Sequence, residues 1–334
     1  VNIKHWGKAS DGSDILAVTI GSDQLQATVI TFGASLQDLR LRNIDYPLVL
    51  GYEDVQGYLT NSAYLGAVVG RNANRIANAK CKLNGAQLKL TKAEGQQHQL
   101  HGGPQGSSFR NWTLVLARAN KLVLRDQLPH GHMGFPGNLS VQITYRIEGN
   151  VLDVKIEAQT DQVTLCNFTL HNYFNLDNSL TLEDHHLGVY SEDYLPTDDT
   201  GIPLGKKASV ANSAYDYQQL RNLNSLPDGP SLDHNFCFEG GNEKLQTMAT
   251  LSSKSSGICL TLESNAVGLQ VYDAAHMDVY SHRTVHAKPY TAYSALALEP
   301  QGWPNAANES AFPSVVLTPG QPYMQHTRFS FSQT

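Results

Sequence analysis

Apolar residues recur at every second position in short runs along much of the chain. In VQITYRI, 141–147, residues Val141, Ile143, Tyr145 and Ile147 fall on one face. In VLDVKIEA, 151–158, residues Leu152, Val154, Ile156 and Ala158 do the same. A period of two belongs to a half-buried β-strand. Glu148-Gly149-Asn150 between the runs is a turn signal, so the pair predicts a hairpin with positive φ at Gly149 and Asn150. Further strands are predicted at LQATVI (25–30), KLVLRDQL (121–128), ATLSSK (249–254), GICLTLES (257–264), GLQVYD (268–273) and YSALALEP (293–300). Helical periodicity over twelve or more residues is missing, and only short helical turns fit YEDVQGYL (52–59) and SAYDYQQL (213–220).

Many short strands with evenly spaced turns predict an all-β fold, a sandwich or a barrel. No repeat of fixed length argues for a propeller or solenoid. No Pro/Gly/Ser linker divides the chain, so residues 1–334 read as a single domain.

Composition narrows the function classes. Charged residues make up 16% and the net charge is −6, which disfavours nucleic acid because phosphate binding needs a basic field. No run approaches the ~20 apolar residues of a membrane span. Cys81, Cys166, Cys237 and Cys259 are widely spaced, with no CxxC pair. They read as reduced thiols, and with no apolar leader visible in VNIKHWGKAS the expected location is the cytoplasm.

FTLHNYFNL, 168–176, reads as a core strand, yet it carries His171, Asn172 and Asn175 among Phe168, Leu170, Phe174 and Leu176. A satisfied core histidine and a proton donor in a pocket are both open readings. Three other segments combine polar and apolar residues in a similar way. GRNANRI, 70–76, brings Arg71, Asn72 and Arg75 in behind the apolar YLGAVV. Burying arginine is costly without a partner, so Arg71 is expected to meet a carboxylate or a polar ligand unless the loop is exposed. HQLHGG, 98–103, sets His101 before two glycines, which permit a tight turn or close ligand approach. LALEPQGWPNAAN, 296–308, ends an apolar run on Glu299, with Trp303 and amides after it. A carboxylate with amides and an aromatic face is what a sugar pocket offers. The histidines of HRTVH (282–286), HGH (130–132) and EDHH (183–186) lack metal-site spacing and read as solvated or structural. No P-loop, dinucleotide fingerprint or nucleophile elbow occurs.

Taken together these segments resemble the galactose mutarotase (aldose 1-epimerase) family. GRNANRI is similar to its Gly-Arg-x-x-Asn-Arg-Ile segment, HQLHGGPQG to its Leu-His-Gly-Gly segment, and LHNYFNL to its Asn-His-x-Tyr-Phe-Asn-Leu strand. LDHNF, LEPQGWPNAAN, GFPGNL and TPGQPY also match, all in family order from about residue 30 to the end. The resemblance implies a large antiparallel β-sandwich, the supersandwich of that family, with its site in a cleft over one sheet. It implies interconversion of the α and β anomers of free aldohexoses such as galactose and glucose, without cofactor or metal. Carried over by residue, Glu299 falls on the catalytic base, His171 on the acid, and His101 on the second active-site histidine. Arg71 and Asp233 fall on sugar-hydroxyl contacts, and Asn72 beside Arg71 is a further substrate-binding candidate. Leu170 replaces the family's Asn, and Asn305 its Asp, which puts hydrogen bonding behind the site in question. The implied partner is a small aldose, with the chain a monomer or homodimer.

Mutarotation needs a base at O1 and an acid at the ring oxygen, so Glu299 is expected ionised and His171 protonated. Other readings are a hexose-6-phosphate epimerase, which needs more cations than Arg71 and Arg75, a glycosidase using Glu299 with Asp233, or a sugar-binding module without turnover.

Overall fold

The computed structural model describes residues 1–60, 63–240 and 244–333, and β-strands dominate them as the alternation predicts. Two antiparallel sheets form a sandwich. The larger has nine strands in the order Thr113–Arg118, Lys121–Leu128, Leu139–Glu148, Val151–Thr160, Tyr323–Gln333, Ile258–Ser264, Gln246–Ser253, His185–Val189 and Arg221–Asn222. The smaller has six, in the order Tyr173–Phe174, Leu296–Gln301, Gly268–Tyr272, Asp233–Cys237, Asp193–Tyr194 and Ala208–Ser209. An N-terminal meander of four strands, Asn2–Lys8, Asp14–Gly21, Leu25–Ile30 and Leu36–Leu41, packs against the large sheet.

The alternating apolar faces meet between the sheets. Val141, Ile143, Tyr145 and Ile147 from the large sheet share one buried cluster with Phe174, Phe236, Leu269, Val271, Leu296 and Leu298 from the small one. Each such side chain contributes about 1.5–3 kcal/mol when fully buried. Tyr145 meets its polar requirement there by donating its hydroxyl to the Ala34 carbonyl at 2.6 Å.

Register bears out the hairpin, with Glu148 opposite Val151 and Val141 opposite Ala158. Its turn differs in one respect. Only Gly149 has positive φ, at 57°, and Asn150 does not. That is the type II′ pattern, which needs glycine at the first central position alone. The helical turn at 52–59 becomes a helix, Val55–Leu59, capped by Asp54, whose carboxylate accepts the N–H groups of Gln56 and Gly57. Residues 213–220 form turns and no helix.

FTLHNYFNL is not one strand. Thr169–Leu170 pairs with Val68–Val69, Tyr173–Phe174 joins the small sheet, and His171 and Asn172 lie between them. Among the described residues, no helix is long and apolar enough to cross a membrane. All four cysteines are unpaired, Cys81, Cys166 and Cys237 being buried.

Candidate active site

Strand period brings Glu299 to the site. In Leu296–Gln301, Leu296 and Leu298 turn into the core between the sheets, so Ala297 and Glu299 emerge on the other face. Register then sets Asn235, Gln270 and Glu299 in one row across three strands. Asp233 lies two residues from Asn235 on the same face, and Gln270 donates its amide N–H to the Asp233 carboxylate at 2.6 Å.

His171 arrives from the break between its two short strands. Its own N–H donates to Ala67 O and its carbonyl accepts from Gly66 N–H, both at 2.9 Å. Its Nε2 stands 3.6 Å from Glu299 Oε1, with both side chains buried. That gap exceeds a hydrogen bond.

His101 is set by a second pairing that joins two of the sequence motifs. Arg75 pairs with Leu100 and Ile76 with Gln99, which places Asn74 beside His101. The His101 N–H donates to Asn74 O at 3.0 Å, and the Asn74 N–H donates to His101 Nδ1 at 3.1 Å. With Nδ1 accepting, a neutral His101 carries its proton on Nε2 and presents a donor. The glycine after it is required by packing, because a Cβ on Gly102, whose φ is 84°, would fall 1.9 Å from Gly70 O.

One ligand-type atom from each of His101, His171 and Glu299 lies within 4.8 Å of the others. The residue types would suit a divalent metal, but His101 does not. Its Nδ1 lone pair is engaged by Asn74 and its Nε2 bears the proton, so a metal would have to displace the Asn74 bond.

Burial governs the charges. Desolvation pushes the His171 imidazolium down to about 3. Desolvation also lowers His101 well below its ordinary value, helped by His171 and Arg75. Glu299 is raised well above the carboxylate range, first by desolvation and then by Asp233, while Arg75 opposes the rise. Burial therefore favours the neutral form of each partner. The expected pair, an ionised Glu299 beside a protonated His171, needs a partner that offsets this desolvation.

Arg71 is a correction. Its guanidinium is buried and donates to the carbonyls of Leu128, Pro129, Pro136 and Gly137 and to Thr164 Oγ1. It also lies over the Phe135 ring, and desolvation draws it down to about 10. Arg71 is a clamp on the 128–137 loop, and among the described residues only its Nε finds no partner. Arg75 is the arginine of the site. Its charge acts on Glu299, His101 and Tyr64, and its guanidinium makes no hydrogen bond or ion pair among the described residues.

Other expectations fall out as follows. Asn72 is buried, its amide donates to Ala73 O, and no hydrogen bond joins it to the acid–base pair among the described residues. Trp303 is no stacking face for a sugar, since it donates to Val267 O and packs edge-on against Phe312. Asn175 donates to Ser179 O and Ser294 O, away from His171. Asn172 is fully buried, and among the described residues neither of its amide atoms is hydrogen-bonded. Leu170 packs into the main core. Asn305 Oδ1 accepts the N–H of Ala77 at 3.0 Å, a task an aspartate oxygen could equally perform. Its own N–H donates to Arg75 O at 2.9 Å, so it braces the Arg75 segment. The motif reading missed Arg75 and Gln270. Arg75 stood in a quoted motif, whereas only the register reveals Gln270 as the neighbour of Glu299.

A cleft of about 950 Å³ lies elsewhere, between the outer face of the large sheet and residues 314–325. It contains neither histidine. Chemistry, not volume, identifies the site.

Comparison with known proteins gives a consistent result. A family model described as "Aldose 1-epimerase" matches residues 17–330. Human galactose mutarotase is 34% identical over 331 residues, covering 97% of this chain and 96% of the relative. Aldose 1-epimerase of Escherichia coli K12 is 30% identical over 338 residues, covering 97% of each. A crystal structure of an aldose epimerase homologue from C. elegans superposes with a TM-score of 0.88 at 30% identity, covering 95% of this chain and 99% of that one.

Proposed function

This chain belongs to the aldose 1-epimerase family and interconverts the anomers of aldoses, an isomerase activity, and we propose that free aldohexoses, galactose and glucose among them, are its substrates. The observation that carries the mechanism is the buried carboxylate and imidazole, Glu299 and His171, 3.6 Å apart.

In this reading Glu299 takes the proton of the anomeric hydroxyl at O1, and His171 delivers one to the ring oxygen O5. The C1–O5 bond breaks and C1 becomes an aldehyde. Rotation about C1–C2 turns the other carbonyl face to the C5 hydroxyl. O5 then attacks C1 and returns its proton to His171, while Glu299 gives its proton back to O1. Protons and electrons balance without a redox partner. His101 supplies its Nε2–H as a fixed donor toward the ring oxygen. Arg75 and the Asp233–Gln270 pair bind hydroxyls, and Arg75 also favours the anionic form of Glu299. The sugar completes the arrangement, since its hydroxyls hydrogen-bond the charged forms that burial disfavours.

The commitment of Arg71 to backbone carbonyls supports free sugars over hexose phosphates, because Arg75 alone does not make a phosphate cluster. Four unpaired thiols support a reducing compartment, and the cytoplasm is the proposed location. The 1–334 span is proposed to act as one domain.

The direct test is polarimetry of freshly dissolved α-galactose. Optical rotation should reach its final value faster than in buffer, and no acceleration by folded protein overturns the substrate assignment. The pH profile tests the pair. A state with one shared proton persists between uptake of a second proton at His171 on the acid side and loss of the proton from Glu299 on the alkaline side. The first pKa is lowered and the second raised, so the window is widened both ways. We expect kcat/KM to stay flat through pH 6.5, the ordinary imidazole value. A fall of about tenfold per pH unit above it would mean that His171 titrates as an isolated acid.

A further inference from the structure

The His171 imidazole lacks the partner that usually orients an acid–base histidine. Its Nδ1 is buried and bonds no other residue among the described residues, and the support for its cation comes from its own peptide group. Elsewhere a carboxylate or carbonyl at that nitrogen fixes the ring and supports its cation. Aromatic rings occupy the surroundings here. The Tyr173 ring lies 4.9 Å away between centroids, tilted by 31°. The Tyr64 ring lies 5.9 Å away, stacked at 22°. Tyr64 also meets His101 edge-on at 4.7 Å and is backed by Phe109 at 5.7 Å. The two histidines touch at 5.2 Å, so Tyr64 contacts both members of the pair.

Tyr64 is held for this contact. It has a positive φ of 57°, unusual for an aromatic residue, within a turn closed by Ala67 N–H on Tyr64 O. Tyr173 is held by the small sheet, opposite Ala297 on the Glu299 strand.

We propose that Tyr64 and Tyr173 are positioning residues that fix the plane of the His171 imidazole and stabilise its cation through their ring faces. Ring faces attract a cation without accepting a proton from Nδ1. A carboxylate there would hold the imidazolium permanently and weaken it as an acid. The tyrosine faces favour the cation modestly, so the proton can still leave for O5. The proposal rests on His171 being the group that protonates the ring oxygen.

Tyr64 is the variant site of choice, since Tyr173 is deep in a core cluster. Tyr64→Phe keeps the ring and should retain kcat. Tyr64→Leu and Tyr64→Met remove it, and kcat should fall about five- to thirtyfold with KM changed much less. The ¹⁵N shifts of His171 in galactose-saturated protein at neutral pH should show a smaller protonated fraction in Leu and Met than in wild type or Phe. Wild-type kcat and shifts in the folded Leu and Met variants overturn the proposal. So does an equal loss in Phe, which would make the hydroxyl the active feature. His171→Asn, measured alongside, separates the two levels. If it loses turnover while the Tyr64 variants do not, only this inference fails. If it retains turnover, the proton assignment fails and this inference with it.

Discussion

Glu299→Gln should lower kcat for galactose mutarotation by roughly 10³- to 10⁴-fold, the range for losing a positioned general base. The amide is nearly isosteric but cannot take the O1 proton. Ordinary loss of a buried carboxylate also changes folding, and the sign here is informative. Glu299 Oε2 is buried without a hydrogen bond among the described residues, and desolvation with the nearby Asp233 charge already favours its neutral form. Replacing it by a neutral amide removes a penalty that builds as pH rises above 4.5, where the unfolded carboxyl ionises and the folded one holds its proton. The thermal midpoint should therefore stay level or rise, and its gain over wild type should grow as pH increases above 4.5. Galactose binding, measured calorimetrically, should persist because Arg75, Asp233 and Gln270 are untouched. Polarimetry and thermal unfolding together decide it. Wild-type kcat in the folded variant would remove Glu299 from the chemistry. A large loss of stability would show that the carboxylate is a structural group.

The strand that delivers Glu299 was legible in the sequence because its period is two. Leu296 and Leu298 announce a buried face, which leaves Glu299 on the other. His171, His101 and Asp233 were legible through motifs, and the fold brings the first two to Glu299. The choice between Arg71 and Arg75 was not legible in the same way. Both lie in GRNANRI four residues apart, and no local pattern says which guanidinium meets backbone carbonyls. That depends on the 128–137 loop, more than fifty residues away. Gln270 was hidden for a similar reason. It reads as the polar position of an ordinary alternating strand until register sets it opposite Glu299. The protonation states were hidden because they follow from burial, which no residue type encodes. Contacts between distant segments, such as Tyr64 with His171, need the fold itself.

The two arginines should separate cleanly by substitution. Arg71→Leu leaves five acceptors around the former guanidinium without their donor, four of them carbonyls flanking the loop that begins the Leu139–Glu148 strand. Breaking such a buried charged network costs about 3–5 kcal/mol. The thermal midpoint should drop by roughly 5–15 °C. The protein that remains folded at low temperature should keep most of its kcat. Lysine cannot rescue it, because one ammonium with three donors does not span acceptors held by a planar fork. Arg75→Leu should do the reverse. Its guanidinium bonds no protein group among the described residues, so stability should change by less than about 1 kcal/mol. Turnover should fall about 10²-fold or more, through lost hydroxyl contacts and a Glu299 left without its nearby cation. Denaturant unfolding and polarimetry on the same two preparations give both columns of the comparison. An Arg71→Leu protein that melts like wild type yet no longer binds galactose would return Arg71 to the sugar and leave the 128–137 loop to be held by something else.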